Sequence, residues 1–593
     1  MNLPAIECTG AAARRDTPLA GVADMTDRAT GAALALLTGG IAPASVGAAI
    51  SDWLLHLAQS PGRQALLGLE AMRTAALFAD YMRRSLTTPE SAEPCIAPPP
   101  EDSRFADPAW QAPPYSFFAQ GFLLAQHWWD AACTGIGGVT PRHEEQVRFI
   151  VRRMLDSVAP SNFIATNPQI RQRIAETGGQ CLADGARQMA EDLHLRLVHQ
   201  ATPDQARFRP GREVAVTPGQ VVYRNHLIEL IQYRPTTDRV YPEPILFVPA
   251  WILKYYILDL DPARSMVRYL VDQGHSVFMI SWRNPGADDR NLTLDDYRRM
   301  GVMDALDAIG SIVGDAKVHA VGYCLGGTLL SIAAATMARD GDDRLAGMTL
   351  FAAQTDFSEP GELALFIDPA QVHFLENLMW SQGFLDSRQM GGAFQLLRSN
   401  ELLWSRIIHQ YRMGEAEAPT PVTAWSHDGT RLPQAMHSAY LRRLFLNNEL
   451  AEGRYEVDGR PVSLDDLRVP VFVVGAEEDH VAPWQSVFRI HRLTETEVTF
   501  LLTGGDHVSG IVPDPAQAGA HYRIRTRQTD QRPLDPERWL ADAPVQEGPW
   551  WPVWHRWLAD RSGPPRSDPP PIGSPLQDRP SLGPAPGRYV LMP

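Results

Sequence analysis

Lys317-Val-His-Ala-Val-Gly-Tyr-Cys-Leu-Gly-Gly-Thr-Leu-Leu-Ser-Ile-Ala333 decides the fold. Val318 to Val321 is a largely apolar run with β-branched ends, and Thr328 to Met337 is a small-residue apolar stretch of helical character. Between them lies Gly322-Tyr-Cys-Leu-Gly-Gly327, so the pattern predicts strand, tight turn and helix with a nucleophile at the apex. It has the form of the nucleophile elbow G-x-S-x-G, with Cys324 in place of serine. Side chains at Gly322 and Gly326 are expected to collide with the neighbouring elements. The alternative is a buried structural cysteine beside a glycine-rich turn, and the rest of the chain has to decide between them.

Working outward, an elbow cysteine needs a base to take its proton and a third group to hold that base. In folds of this kind the partners follow in the order nucleophile, acid, histidine, each after a strand. Val471-Phe-Val-Val-Gly475 reads as a buried strand and runs into Ala476-Glu-Glu-Asp479-His480. Val498 to Leu502 reads as the last strand and runs into Thr503-Gly-Gly-Asp506-His507. His507 is therefore the base candidate and Asp479 the acid. Rivals exist among 17 histidines: His480 sits beside the acid, and Asp356, after the strand Met348–Ala352, is the alternative acid. Asp506 reads as a loop residue. A helix amino terminus at Cys324 favours the thiolate, which suits an ester or thioester substrate. The oxyanion needs backbone donors. Leu325 is one; the other falls among Ala250, Trp251 and Ile252, because Pro249 has no N–H.

Ile245–Val248 is a continuous apolar run, as a parallel strand buried on both faces requires. Strands from about 213 alternate with helical stretches at Met266–Gln273 and Asp295–Val313, predicting a mostly parallel sheet covered on both sides. We place an α/β domain at 213–562, with a helical cap or lid insertion at about 354–469 over its catalytic edge. Ahead of it, 102–212 reads as a helical domain. Residues 1–101 read as a mobile leader to 28, a helical segment over 46–86 and a Pro-rich linker, Ser91–Pro100. Pro, Gly and Ser dominate 563–593, predicting a disordered tail.

With 593 residues, roughly two or more domains are expected. The apolar and charged fractions, 44% and 21%, are those of a globular protein. A net charge of −15 argues against nucleic-acid binding and general attraction to anionic lipid. Five scattered cysteines fit free thiols in a reducing compartment, not a disulfide framework or zinc site. No secretory signal pattern opens the sequence, and Ala29–Ser51, though uncharged, is too rich in Gly, Ala and Ser to predict a transmembrane span.

With these residues assembled, the chain resembles the polyhydroxyalkanoate (poly-3-hydroxybutyrate) synthases, most closely the class I type. Gly322–Thr328 is similar to that family's lipase-like box with cysteine for serine. Further matches are Asp102–Trp110, Ser161-Asn-Phe-Ile-Ala-Thr-Asn-Pro168, Lys254-Tyr-Tyr-Ile-Leu-Asp-Leu260, Ser281-Trp-Arg-Asn-Pro285, Asp479-His-Val-Ala-Pro-Trp484 and Trp550-Trp-Pro552. The resemblance covers about 102–560. It implies an α/β-hydrolase fold that polymerises (R)-3-hydroxyacyl-CoA, 3-hydroxybutyryl-CoA being the expected monomer, with release of coenzyme A. Cys324 maps to nucleophile, His507 to base, Asp479 to acid and Ile252 to the second oxyanion donor. It implies no cofactor or metal, a homodimer, and residence on cytoplasmic polyester granules. Two segments depart from the family pattern, Pro249-Ala-Trp-Ile-Leu-Lys254 and Trp425-Ser-His-Asp428, and the tail beyond 560 is atypical.

Overall fold

The apolar runs that dominate the second half of the sequence pair with one another into a ten-stranded sheet. Its strands are β1 (Gly219–Arg224), β2 (Ile228–Tyr233), β3 (Ile245–Val248), β4 (Val277–Trp282), β5 (Val318–Tyr323), β6 (Leu345–Phe351), β7 (Val471–Ala476), β8 (Val498–Thr503), β9 (His521–Arg527) and β10 (Val545–Glu547). The computed structural model describes residues 18–88, 93–99, 102–198, 203–387, 389–390, 403–415, 418–514, 519–565, 568–574 and 581–593. The strand order is β1-β2-β4-β3-β5-β6-β7-β8-β9-β10. From β4 to β8 every pairing is parallel, while the outer pairs on both sides are antiparallel. This is the mostly parallel sheet of an α/β-hydrolase fold. Strands β3, β5, β7 and β8 are buried along their whole length, which is why they read as unbroken apolar runs and not as alternating ones.

The chain divides into two compact units. One comprises 1–41, 203–390 and 419–593; the other comprises 42–202 and 391–418. In the first, the helix Trp551–Asp560 covers the middle of the sheet. Trp550 and Trp554 pack edge-on against Phe351 at 5.4 and 5.0 Å between ring centroids, and the Trp554 indole donates to Thr349 Oγ1 at 3.1 Å. Residues 18–28, expected to be mobile, belong instead to the helix Pro18–Leu37. It packs within this unit: Gly31 lies so close to Asn377 that a Cβ would meet it at 2.8 Å, and Gln371 donates to Gly40 O at 2.6 Å. Residues 1–17 lie outside the described residues.

The second unit is helical. The helical segment expected over 46–86 is formed by two helices, Pro43–Ala58 and Pro61–Thr87, since Pro61 cannot continue the first and starts the second. Phe105, Trp110, Phe122 and Leu123 form a small core, beside which buried Asp156 and Asp102 hold Arg104 at 2.9 and 2.6 Å. Asn167 of the Ser161–Pro168 match caps the next helix by accepting from Gln169 and Ile170 N–H, so that motif is a helix start. Among the described residues no helix is long and apolar enough to cross a membrane.

The tail corrects an expectation. Residues 581–593 are held, not disordered: Leu582 and Ala585 donate to Val221 O and Gly219 O, and Val221 donates to Gly583 O, so the segment runs along the outer edge of β1. Composition signalled disorder because the tail has too few apolar residues to fold alone; the open edge of β1 supplies its hydrogen-bond partners. Residues 566–567 and 575–580 of the expected tail lie outside the described residues.

Candidate active site

Parallel strands deliver the chemistry to one edge of the sheet, because β5, β7 and β8 all end there. Cys324 follows β5 with φ 53° and ψ −124°, a strained conformation for a residue with a side chain, and the helix Leu325–Asp340 starts at once. The glycines permit the turn. A Cβ at Gly322 would lie 2.3 Å from Gly327 Cα, and one at Gly326 would lie 2.0 Å from Val248 O and 2.6 Å from Pro249 O. The first turn of the elbow helix therefore packs directly on the start of the loop after β3. Cys324 N–H is occupied by Phe351 O at 2.9 Å, whereas Leu325 N–H is one of the first helical donors, which have no partner within the helix.

His507, after β8, donates from Nδ1 to Asp479 Oδ2 at 2.7 Å, since an ionised carboxylate only accepts. The other Asp479 oxygen accepts from Val481 and Ala482 N–H, both at 2.8 Å, which fixes the carboxylate. The Cys324 side chain lies close enough to the imidazole to act on its charge. Burial works against the imidazolium, but the charges of Asp479 and Cys324 outweigh it and hold the His507 pKa well above the usual histidine range. The structure thus brings Cys324, His507 and Asp479 together. It does not bring the rivals. His480 is exposed. Asp356 accepts from Ser358 and Asn448, with Arg489 at 3.4 Å, and so ties down the cap. Asp506 Oδ1 accepts from Val508 and Ser509 and shapes the histidine loop.

The supporting roles of Tyr323, Trp550 and Trp551, which lie in matched motifs, were not legible in the sequence, and Tyr440 escaped it altogether. Tyr323 stacks on His507 at 5.5 Å and 26°, and its hydroxyl donates to His507 O at 2.9 Å. Trp550 and Trp551 donate to Gly510 O and Ile511 O at 2.9 and 3.1 Å, so the Trp-Trp-Pro match is a brace for the histidine loop. Tyr440, from the cap, packs beside Phe357, His437 and Phe445. Burial first, then the Cys324 charge, keeps its phenol protonated. The available signal was aromatic enrichment next to the candidate site residues, which periodicity alone does not distinguish from core.

The loop after β3 carries Ile252. Trp282 donates to Pro249 O at 2.8 Å, Trp251 packs on Trp282 and Tyr297 at 6.0 and 5.0 Å, and Thr430 N–H donates to Ile252 O at 2.9 Å. The two segments that depart from the family pattern are neighbours: the Trp425 indole donates to Lys254 O at 2.8 Å, and Lys254 Nζ lies 2.9 Å from Asp428 Oδ1.

Comparison with known proteins agrees with this architecture. Residues 101–270 match the family described as poly-beta-hydroxybutyrate polymerase (PhaC) N-terminus, residues 21–63 the poly-beta-hydroxybutyrate polymerase N-terminal family, and 243–512 the alpha/beta hydrolase fold. A poly(3-hydroxyalkanoate) polymerase of Methylorubrum extorquens is 39% identical over 523 residues, 87% of this chain and 85% of that protein. The poly(3-hydroxyalkanoate) polymerase subunit PhaC of Rhizobium meliloti is 37% identical over 82% of this chain and 79% of its own. That of Cupriavidus necator is 36% identical over 83% of both. On identities sustained over this much of both chains, the protein belongs to the poly(3-hydroxyalkanoate) polymerase family.

Proposed function

We propose that the protein polymerises (R)-3-hydroxyacyl-CoA, with 3-hydroxybutyryl-CoA as monomer, through an acyl-cysteine thioester. The observation that carries this reading is a strained elbow cysteine beside a histidine whose Nδ1 donates to a buried aspartate. The Cys324 thiolate attacks the thioester carbonyl; the oxyanion is met by the N–H groups of Leu325 and Ile252; coenzyme A leaves as its thiol with the proton held by His507. The 3-hydroxyl of an acceptor chain end then gives its proton to His507 and attacks the acyl-cysteine carbonyl; the C–S bond breaks, the Cys324 thiolate leaves, and the new ester lengthens the chain by one unit. Asp479 keeps Nδ1 protonated and Nε2 turned toward sulfur.

The cap supports transfer to a hydroxyl over transfer to water. Tyr440, whose buried phenol feels the Cys324 charge, packs with Phe357 and Phe445 in one aromatic cluster of the cap, which disfavours free solvent on that side. Work on a granule surface, and as a homodimer, is part of the proposal. In the helical unit Leu54, Leu55, Leu66, Leu69 and Met72 are all about half exposed or more, as a surface that meets polymer or a second copy would be.

The test is purified protein with (R)-3-hydroxybutyryl-CoA, following free thiol and insoluble polyester together. Thiol release matched by polymer is expected, and Cys324→Ala should abolish both. Thiol release with only monomeric acid would make the protein a thioesterase; wild-type turnover in Cys324→Ala would remove the nucleophile assignment.

A further inference from the structure

Lys254 is where three parts of the first unit meet. It is buried, and its ammonium group donates to Val590 O at 2.6 Å and Met592 O at 2.7 Å while pairing with Asp428 at 2.9 Å. Those are as many partners as an ammonium has protons, which is what a buried cation requires. Asp428 is held in turn by the Tyr256 hydroxyl at 3.0 Å. Just before Lys254, Leu253 forms a bridge with Gly429, and Thr430 hydrogen-bonds the carbonyls of Trp251 and Ile252. Asn284 repeats the pattern, donating to Pro593 O at 2.6 Å and accepting from Arg431 N–H at 2.8 Å. The loop 249–254 is therefore gripped by the cap on one side and by the strap 581–593 on the other.

The strap is anchored away from the site. Glu229 on β2, fully buried, accepts from Arg588 and Tyr589 N–H at 2.8 and 2.9 Å, and the Tyr589 hydroxyl donates to Asn225 O at 2.6 Å. Gly587, at φ 84°, lies so close that a Cβ would sit 2.3 Å from Glu229 Oε2 and 3.0 Å from Val221 Cγ2. A side chain there must push the strap outward.

We propose that Lys254 is a positioning residue: by tying Asp428 and the strap carbonyls to the loop after β3, it fixes where the Ile252 N–H points. The proposal rests on the triad reading above. Loosening this tie should weaken oxyanion stabilisation, a transition-state effect, and leave substrate binding and the thiolate intact. Removal of one oxyanion donor lowers kcat by about 10²–10³-fold, so a displaced donor should lower it by at least about tenfold.

The experiment uses the full chain as Lys254→Met, Gly587→Ala and the double variant. It measures kcat and KM for coenzyme A release from (R)-3-hydroxybutyryl-CoA, and the rate of Cys324 alkylation by iodoacetamide. Each single variant should lose about tenfold or more in kcat with KM and alkylation within about twofold of wild type, and the double should be no slower than the slower single. Should Lys254→Met fail to fold, Gly587→Ala decides alone. Wild-type kcat in Gly587→Ala, a loss carried by KM, or alkylation falling in step with kcat would overturn the proposal. Those results leave the polymerase reading standing, because that reading fails only if Cys324→Ala stays active or the product is free acid.

Discussion

His507 and His491 flank the same strand, β8, and their surroundings drive them in opposite directions. His507 emerges at the carboxyl end, where Asp479 and Cys324 favour its charged form. His491 lies before the amino end, packed on Phe488 at 4.3 Å and Phe500 at 6.0 Å with its Nε2 unpartnered. Burial, with Arg527 adding to it, lowers its pKa to about 3. Burial opposes charge at both; only the first has a carboxylate to outweigh it. His275 and His319, toward the amino ends of β4 and β5, follow His491, with burial lowering them to about 3 and about 4. At the carboxyl end of the sheet a histidine is held charged for chemistry, and toward the amino end the buried histidines are held neutral.

The largest effect should come from removing the charged histidine. His507→Ala is expected to lower coenzyme A release by about 10²–10⁴-fold, the range of a lost general base, checked by thiol-release kinetics. Next is the carboxylate. Asp479→Asn removes the larger of the two charges that raise the His507 pKa, so Cys324 alkylation at pH 6–7 should fall by about tenfold or more. Asp356→Asn should leave turnover within about threefold and loosen the cap instead, by about 1–3 kcal/mol in denaturant unfolding. If Asp356→Asn were the more damaging to turnover, the assignment of the acid would be reversed. The pH signs also differ. A raised pKa gives stability that is full below about 6.5 and is lost as pH rises through the folded value, which is the His507 case. A histidine buried neutral gives stability that is full above about 6.5 and is lost toward its folded value. His491→Phe should therefore remove about 1.4 kcal/mol per pH unit from the acid side of the stability curve, between about pH 6 and 3, measured as denaturant midpoints. An unchanged acid slope would show that His491 is not buried neutral.

The elements with strong local signatures were legible. Cys324, Asp479 and His507 each follow a buried apolar strand, and the strand and the turn residues after it announced them together. The antiparallel strand β9 was passed over, although Tyr522, Ile524 and Thr526 alternate with Arg523, Arg525 and Arg527 in the period of a strand. The split between the α/β and helical units could not be read, because the chain leaves the first at 390 and returns at 419 with no composition change to mark it. Within the helical unit that stretch is fixed by long-range contacts such as Tyr411 and Arg406 on Asp192, at 2.6 and 2.8 Å. The tail misled for the opposite reason: its order comes from β1, Glu229 and Lys254, none of which its own composition contains.

That strap has a consequence for how copies of the chain meet. A strand at the border of a sheet offers unpaired amide and carbonyl groups to any extended segment nearby. Here Val221 and Gly219 already spend theirs on Leu582, Gly583 and Ala585, and prolines at 584 and 586 withhold donors from whatever lies beyond. At the opposite border β10 is three residues long and fully exposed, too short to template much. Both borders of the sheet are thereby closed to strand addition, which leaves any association between copies to side-chain surfaces.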